Sequence, residues 1–338
     1  MVLEKDSSVL GYPGEISKSL DADHHGVCKY SDRDDPNYVS VRNVLKSIVS
    51  KILATNNAGS SLPRQRRGSQ DLRTLLAIED MPNIDYIYFR DQWMPETNEW
   101  ILTDPVFEAW VSDHTLDEQT RVRLLWLSGG AAAGKSVMSS FLINHLTELG
   151  RSCQYFFIRF NNSRRRNTSY VLRALAYQIG LAVPEILQNI VELSEEGVNF
   201  ENSSSRVIWE RLYSEIILVH KQSKPYYWII DGLDESDDSK AILRIFSQFP
   251  FTATPIRILL VSRRTTDISA GFYNLPASLS PAAISIEGHS EDLLHYVEKE
   301  LRPDVGNQDF RESTKTKLVD RAQNNFLVSI LPVSIDLY

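Results

Sequence analysis

Several features that define whole classes of protein are scarce in this sequence of 338 residues. Its two cysteines, Cys28 and Cys153, lie far apart and do not form a disulfide framework, which favours a reducing compartment. Glycine and proline contribute 15 and 14 residues, too few for a collagen-like or low-complexity chain. No run reaches the roughly 18 apolar residues of a membrane span, and the N-terminus lacks the apolar segment of a signal peptide. We therefore expect a globular cytoplasmic protein without a membrane span.

An excess of positive charge is also missing, since 44 acidic side chains outnumber 36 basic ones and give a net charge of -8. Binding to DNA or RNA phosphates needs a basic face, so nucleic acid is not an expected partner. Two short basic runs, at 64–67 and 164–166, are expected to be solvated surface charge and not phosphate sites.

What the sequence does contain is an alternation of short apolar runs and helical patterns from about 122 to 303. The apolar runs predict five buried strands at 123–127, 153–160, 225–231, 256–262 and 283–287. Helical patterns lie between them at 135–149, 168–181 and 203–220. This alternation is typical of a parallel sheet covered by helices, so we predict an α/β three-layer sandwich with a central parallel five-stranded sheet.

The segments outside this alternation predict a different organisation. A helical pattern at 38–53 precedes a polar and basic stretch at 55–70, which we interpret as a linker. Residues 71–120 are aromatic and interrupted by prolines, and we expect a collar that packs on the sheet domain without contributing to a site. The sheet domain covers 121–303, and an extension at 304–338 follows it.

The most specific motif lies between the first predicted strand and its helix, where residues 129–136 read GGAAAGKS. It satisfies G-x-x-x-x-G-K-[ST], whose small residues let backbone N–H groups surround a phosphate. Lys135 would bridge the β and γ phosphates, and the Ser136 hydroxyl would ligate Mg²⁺. No N-K-x-D guanine motif is present, which favours ATP and leaves GTP as the alternative. The expected nucleotide contacts are Gly129, Gly130, Ala131, Ala132, Ala133, Gly134, Lys135, Ser136 and Val137.

A second motif, YYWIIDGLDE at 226–235, is an apolar run that ends in an aspartate and continues into an acidic pair. Asp231 would hold Mg²⁺ opposite Ser136, as in a Walker B motif, and Glu235 or Asp234 would orient and polarise the attacking water. The structural alternative is an aspartate that only caps the next helix.

A third motif, LLVSRR at 259–264, places Arg263 just after a buried strand. A cation at this place can contact the γ phosphate and stabilise the charge that develops during phosphoryl transfer. The alternative is a basic side chain solvated beyond the end of the strand.

Together with WILTDPVFEAWV at 100–111, these motifs resemble the fungal NACHT-type P-loop NTPases, an NLR-like STAND group that includes nephrocystin-like N-terminal domains. The resemblance covers about residues 80–300. It implies that the strand before Arg263 lies between the P-loop strand and the Walker B strand, and that Arg263 senses the γ phosphate. It also implies a nucleotide-dependent switch that self-associates or binds NLR-like or effector proteins.

The stretch at 20–45 resembles a different family, because ADHHGVCKYSDRDDPNYVSVRNVL is similar to the tail of a lipase-like α/β-hydrolase domain. His24 would match the catalytic histidine of that family. The chain has no G-x-S-x-G nucleophile elbow, so we interpret 1–54 as a relic without serine hydrolase activity.

The sequence departs from the NACHT pattern in two places. Ala131, Ala132 and Ala133 stand where the family usually carries proline, glycine and a hydroxyl residue. If Ala132 adopts a positive φ, its Cβ costs about 1 kcal/mol. At 304–338 the sequence diverges, and our hypothesis is a truncated product or a gene-model error. We expect ATP and Mg²⁺ binding with slow or deficient hydrolysis. The alternatives are a non-hydrolysing interaction module or decoy, and a P-loop kinase of a small metabolite.

Overall fold

The computed structural model describes residues 38, 41–42, 72–112, 122–195, 197–222, 224–248, 255–287, 290–300, 313, 315 and 317. The chain divides into two compact units, Met1–Gly68 and Ser69–Tyr338. Only Tyr38, Val41 and Arg42 are described in the first unit, so the architecture below is that of the second. Most of the segment interpreted as a relic, including His24, the linker and most of 304–338 lie outside the described residues.

Five parallel strands form the centre of the second unit, in the order β2-β3-β4-β1-β5. They are β1 (Leu124–Ser128), β2 (Ser152–Phe157), β3 (Tyr226–Asp231), β4 (Ile256–Ser262) and β5 (Pro281–Ser285). The predicted α/β fold with a parallel five-stranded sheet is confirmed. The strand before Arg263, β4, lies between β1 and β3, as the resemblance to NACHT-type proteins implies.

Two strands, β2 and β5, differ from their predicted bounds by more than one residue at an end. The apolar run at 153–160 predicts a longer β2, but the strand ends at Phe157, and the chain turns away after Ile158 donates a last hydrogen bond to the Asp231 carbonyl. β5 begins two residues before its predicted start. Pro281 occupies its first position, which an edge strand tolerates because the missing N–H faces no partner strand.

Helices cover both faces of the sheet. They are α1 (Asn83–Arg90), α2 (Pro105–Val111), α3 (Lys135–Glu148), α4 (Thr168–Ala182), α5 (Pro184–Glu195), α6 (Ser205–Ile208, continued by a π-helix at Trp209–Ile217), α7 (Ser239–Ser247), α8 (Thr266–Tyr273) and α9 (Ser290–Glu300). Alternate strand residues face opposite cores: Trp126 and Trp228 belong to the cluster on one side, and Leu125 and Tyr227 to the other. No helix among the described residues is long and apolar enough to cross a membrane.

The collar is fastened to the sheet by buried polar contacts. Arg257 of β4 is buried and donates to the carbonyls of Trp110 and Ser112, the latter at 2.7 Å, at the C-terminal end of α2. Tyr227 donates its hydroxyl proton to the Val111 carbonyl at 3.0 Å. These bonds satisfy carbonyls that a helix end leaves without partners, and the guanidinium charge complements the helix dipole. The collar is thereby held rigidly against β3 and β4.

Candidate functional site

The loop between β1 and α3 has the backbone shape of an anion-binding turn. Gly134, the residue before α3, has φ 78°, and no side chain caps the helix N-terminus there. The Gly129 N–H donates to the Ser262 carbonyl at 3.2 Å, which fixes the start of the loop against β4. The uncapped N–H groups of α3 are therefore directed at the loop, where the helix dipole favours negative charge.

Ala132 adopts the left-handed conformation considered in the sequence analysis, with φ 55°. Its Cβ therefore carries a strain of about 1 kcal/mol that glycine would not have. Ala133 is different, because its methyl group is buried in the core beneath α3. The three-alanine loop is thus partly strained and partly packed.

Lys135 lies at the first turn of α3 and folds back over the loop. Its Nζ donates to the Gly129 carbonyl at 3.1 Å and to the Gly130 carbonyl. Burial lowers the pKa of the ammonium group, while the carboxylates of Asp234 and Asp231 oppose that shift. A partly desolvated ammonium group held only by neutral carbonyls is ready to exchange them for anionic oxygens.

Ser136 and Asp231 meet where the predicted magnesium site would be. The Ser136 hydroxyl donates to Asp231 Oδ2 at 2.6 Å, and Ser139, one turn further along α3, donates to Oδ1 at 3.1 Å. Burial raises the pKa of Asp231 from 3.8 to about 6, although the two hydroxyl donors and the nearby Arg159 and Lys135 oppose the shift. Ser139 was missed in the sequence analysis, but its spacing of three from Ser136 places both on one helix face.

The two acids proposed to orient water have different partners. Asp234 accepts the Arg263 backbone N–H at 2.9 Å, and its other oxygen lies 3.3 Å from Arg263 Nε. Glu235 accepts the Phe160 N–H through Oε2 at 2.7 Å. Asp234 therefore orients Arg263. For Glu235, the structure gives a contact to one carboxylate oxygen only.

A cavity of about 820 Å³ brings most of the predicted site residues together. Those that line it are Ala132, Ala133, Gly134, Lys135, Ser136, Val137, Asp231, Asp234, Glu235 and Arg263. Gly129, Gly130 and Ala131 belong to the same loop but are not among its lining residues. The side chains that the sequence predicts to bind phosphate and metal thus share one space with the acidic side chains.

The collar supplies the opposite wall of this cavity, which corrects the expectation that it contributes to no site. Phe89 and residues 91–95, 97 and 98 line the cavity, as do Tyr296 and Lys299 of α9. The Trp93 ring packs on Phe141 of α3 with centroids 5.4 Å apart. Asp292 of α9 accepts the Asn98 N–H at 3.0 Å, which ties this loop to α9. The only hint of this wall in the sequence is the high density of aromatic residues in the collar. Because these residues form no recognisable motif, they did not predict a binding site.

The basic run at 164–166 is ion-paired, which corrects its interpretation as solvated charge. Arg164 pairs with Glu79, Arg165 with Asp85, and Arg166 with Asp237 at 3.3 Å. Only Arg164 is mostly exposed, while Arg165 keeps 11% of its side chain exposed. These ion pairs connect the loop after β2 to the collar, through Glu79 and Asp85, and to the segment before α7, through Asp237.

The family model described as nephrocystin 3, N-terminal, matches residues 96–263. The match runs from the collar through the P-loop and the acidic turn to Arg263. The chain is a NACHT-type protein of this family. The vegetative incompatibility protein HET-E-1 of Podospora anserina is 26% identical over 199 residues, which are 57% of this chain but 14% of that protein. The matched residues contain β1 to β4 of the parallel sheet and the loop at 129–136.

Solved structures with a similar sheet are distant. The Orc1 protein of Aeropyrum pernix in complex with DNA is 14% identical with a TM-score of 0.42, over 76% of this chain and 61% of that one. Drosophila ORC bound to GC-rich DNA and Cdc6 is 13% identical with a TM-score of 0.33, over 70% and 34%. At this distance neither supports a statement about ligands of the NACHT-type chain.

Proposed function

We propose that this NACHT-type chain binds ATP with Mg²⁺ in the 820 Å³ cavity and acts as a nucleotide-dependent switch that hydrolyses ATP slowly. The observation that carries the proposal is the contact of 2.6 Å between the Ser136 hydroxyl and the Asp231 carboxylate, beside Lys135 and the uncapped start of α3. A hydroxyl, a carboxylate, an ammonium group and a helix N-terminus are the groups that a magnesium-bound triphosphate requires.

The donor set at Ser136 and Asp231 fits Mg²⁺. Magnesium prefers hard oxygen ligands at about 2.0–2.1 Å in octahedral geometry, so adjacent ligands lie about 2.9 Å apart. The two oxygens are 2.6 Å apart, so a small outward shift would admit the ion or one of its waters. Bound there, Mg²⁺ would neutralise charge on the β and γ phosphates.

The other residues have separate roles in this proposal. Lys135 exchanges the Gly129 and Gly130 carbonyls for phosphate oxygens, and the α3 N–H groups bind the phosphates from below. Glu235 accepts a proton from the attacking water. Asp234 orients Arg263 so that its guanidinium reaches the γ phosphate. The base would lie against the collar wall near Trp93. ATP is proposed over GTP because the chain lacks an N-K-x-D motif.

The switch would control self-association or binding to NLR-like or effector proteins in the cytoplasm. This part of the proposal is supported by the similarity to HET-E-1 alone, which covers 14% of that protein.

Calorimetric titration of MgATP into the purified chain tests the proposal, with Lys135→Ala and Asp231→Ala as variants. We expect micromolar affinity and a loss of at least about 100-fold for Lys135→Ala, since a charge-assisted phosphate contact is removed. Lys299→Ala is the matched control, because Lys299 lines the same cavity from α9, and we expect a loss of a fewfold at most. Equal losses in both lysine variants would contradict phosphate binding by the loop.

The second candidate is an interaction module that does not hydrolyse nucleotide. Two observations favour it: the strained φ of Ala132, and the bonds of Lys135 to its own loop, which a phosphate must displace. A folded wild-type chain with no measurable MgATP binding would support this candidate over the switch.

A further inference from the structure

The loop that joins β2 to α4, residues 158–167, is held on one side by the collar. Asp85 of α1 accepts two bonds from Arg159 through Oδ1, from Nε at 3.1 Å and from Nη2 at 2.9 Å. Its Oδ2 accepts from Arg165, which also donates to the Phe157 carbonyl at 3.0 Å. The side chains of Asp85, Arg159 and Arg165 are only 13%, 24% and 11% exposed, so solvent and salt screen these pairs weakly.

On its other side the same loop contacts the acidic turn after β3. The Ile158 N–H donates to the Asp231 carbonyl at 2.9 Å, and the Phe160 N–H donates to Glu235 Oε2 at 2.7 Å. The approach is close, because a Cβ on Gly232 would lie 2.7 Å from the Ile158 carbonyl oxygen. A shift of the loop would therefore be transmitted to the acidic turn.

We propose that Asp85 is a positioning residue for the ATP hydrolysis proposed above, on which this inference rests. By holding Arg159 and Arg165, Asp85 fixes the Phe160 N–H, and that N–H fixes Glu235 through Oε2. Glu235 lines the cavity, and its other oxygen, Oε1, is then held in one orientation. There it accepts a proton from the water whose oxygen forms a bond to the γ phosphorus while the bond to the bridging oxygen of the leaving ADP breaks. Orientation of a general base affects the rate of the chemical step more than ground-state binding of nucleotide.

The experiment compares Asp85→Asn with Glu79→Gln in the full chain. Glu79 pairs with Arg164 of the same loop, but both partners are more than half exposed, so its loss should leave the loop in place. We expect Asp85→Asn to lower kcat for MgATP about tenfold, with the Kd for MgATP within about twofold of wild type. Hydrogen exchange of the Phe160 amide should accelerate in Asp85→Asn and not in Glu79→Gln.

Unchanged kcat and unchanged Phe160 protection in Asp85→Asn would overturn the inference, as would a loss of affinity parallel to the loss of kcat. If Asp85→Asn does not fold, Arg165→Gln breaks the same link from the loop side and has the same expected results. A wild-type chain that binds MgATP without turnover would refute the proposed hydrolysis. Phe160 exchange in the same variants would still confirm or refute the link through Asp85.

Discussion

The two ends of the cavity are built in different ways. The end where we propose that phosphate binds, called the phosphate end below, comes from two short stretches, 129–137 and 231–235, in which each residue has a position fixed by a strand end or a helix start. The collar end comes from the loop at 91–98 and from α9, which are far apart in sequence and meet only through tertiary contacts such as the one between Asn98 and Asp292. The first end has little freedom to vary, whereas the second can change its side chains without changing the sheet.

The largest expected effect concerns the rigidity of the phosphate end. Gly232 has φ 77° and faces the Ile158 carbonyl, so Gly232→Ala adds both backbone strain and a steric clash. We expect the free energy of unfolding to fall by about 3 kcal/mol in denaturant titration. Gly150→Ala is the control, because Gly150 has φ 66° with nothing within 4 Å, and should cost about 1 kcal/mol. Equal costs would show that the close approach at Gly232 is unimportant.

A second prediction follows from the buried carboxyl group of the phosphate end. The folded-state pKa of Asp231 is about 6, above its ordinary 3.8, so between these pH values the folded chain holds a proton that the unfolded chain has released. Stability from this group is complete below about pH 4 and is lost as the pH rises through 6, by about 3 kcal/mol in total. Asp231→Asn should remove this component from the pH profile of unfolding. If the stability of wild type and Asp231→Asn depends on pH in the same way, the raised pKa of Asp231 is contradicted.

The sequence predicted the strands of the phosphate end because its motifs specify the local geometry, whereas their role in binding phosphate stays a prediction. The strand β4 (Ile256–Ser262) was predicted with its exact bounds, since it is buried along its whole length, and β3 was predicted to its last residue, Asp231. The predicted position of β5 was two residues too late in the chain, because an edge strand with exposed positions has a weaker apolar pattern. Periodicity could also have found Ser139, which shares a helix face with Ser136.

The collar end could not be predicted in the same way. Trp93 reaches the cavity because the segment after α1 packs on Phe141 of α3, and such packing between elements far apart in the chain has no sequence signature. The ion pairs of the arginines at 164–166 could not be predicted from the sequence for the same reason. Their partners Glu79, Asp85 and Asp237 lie in other elements, so the sequence shows only a basic run. Pairing over long sequence distances is decided by the tertiary fold.

A smaller effect on affinity should distinguish the two ends of the cavity, because a ligand with a base contacts both ends and a ligand without a base contacts only the phosphate end. Trp93→Ala removes an aromatic surface from the collar wall, and we expect the affinity for MgATP to fall about tenfold. Binding of magnesium tripolyphosphate, which has no base, should be unchanged in the same calorimetric titration. Tyr88→Ala is the control, because Tyr88 is 57% exposed on α1 and does not line the cavity. Equal weakening of both ligands would place Trp93 at the phosphates and break the comparison.

The smallest effect tests whether the phosphate end of this chain is strained. Ala132→Gly relieves the left-handed conformation at φ 55°, but glycine also gains freedom in the unfolded chain, so the two effects partly cancel. We expect a net gain of about 0.5 kcal/mol in the free energy of unfolding. Ala133→Gly should have the opposite sign and cost about 1 kcal/mol, since it deletes a buried methyl group and adds the same unfolded-state freedom. Opposite signs at neighbouring alanines would show that backbone conformation, and not residue type, decides the effect of each substitution, whereas a loss at both positions would mean that Ala132 is unstrained.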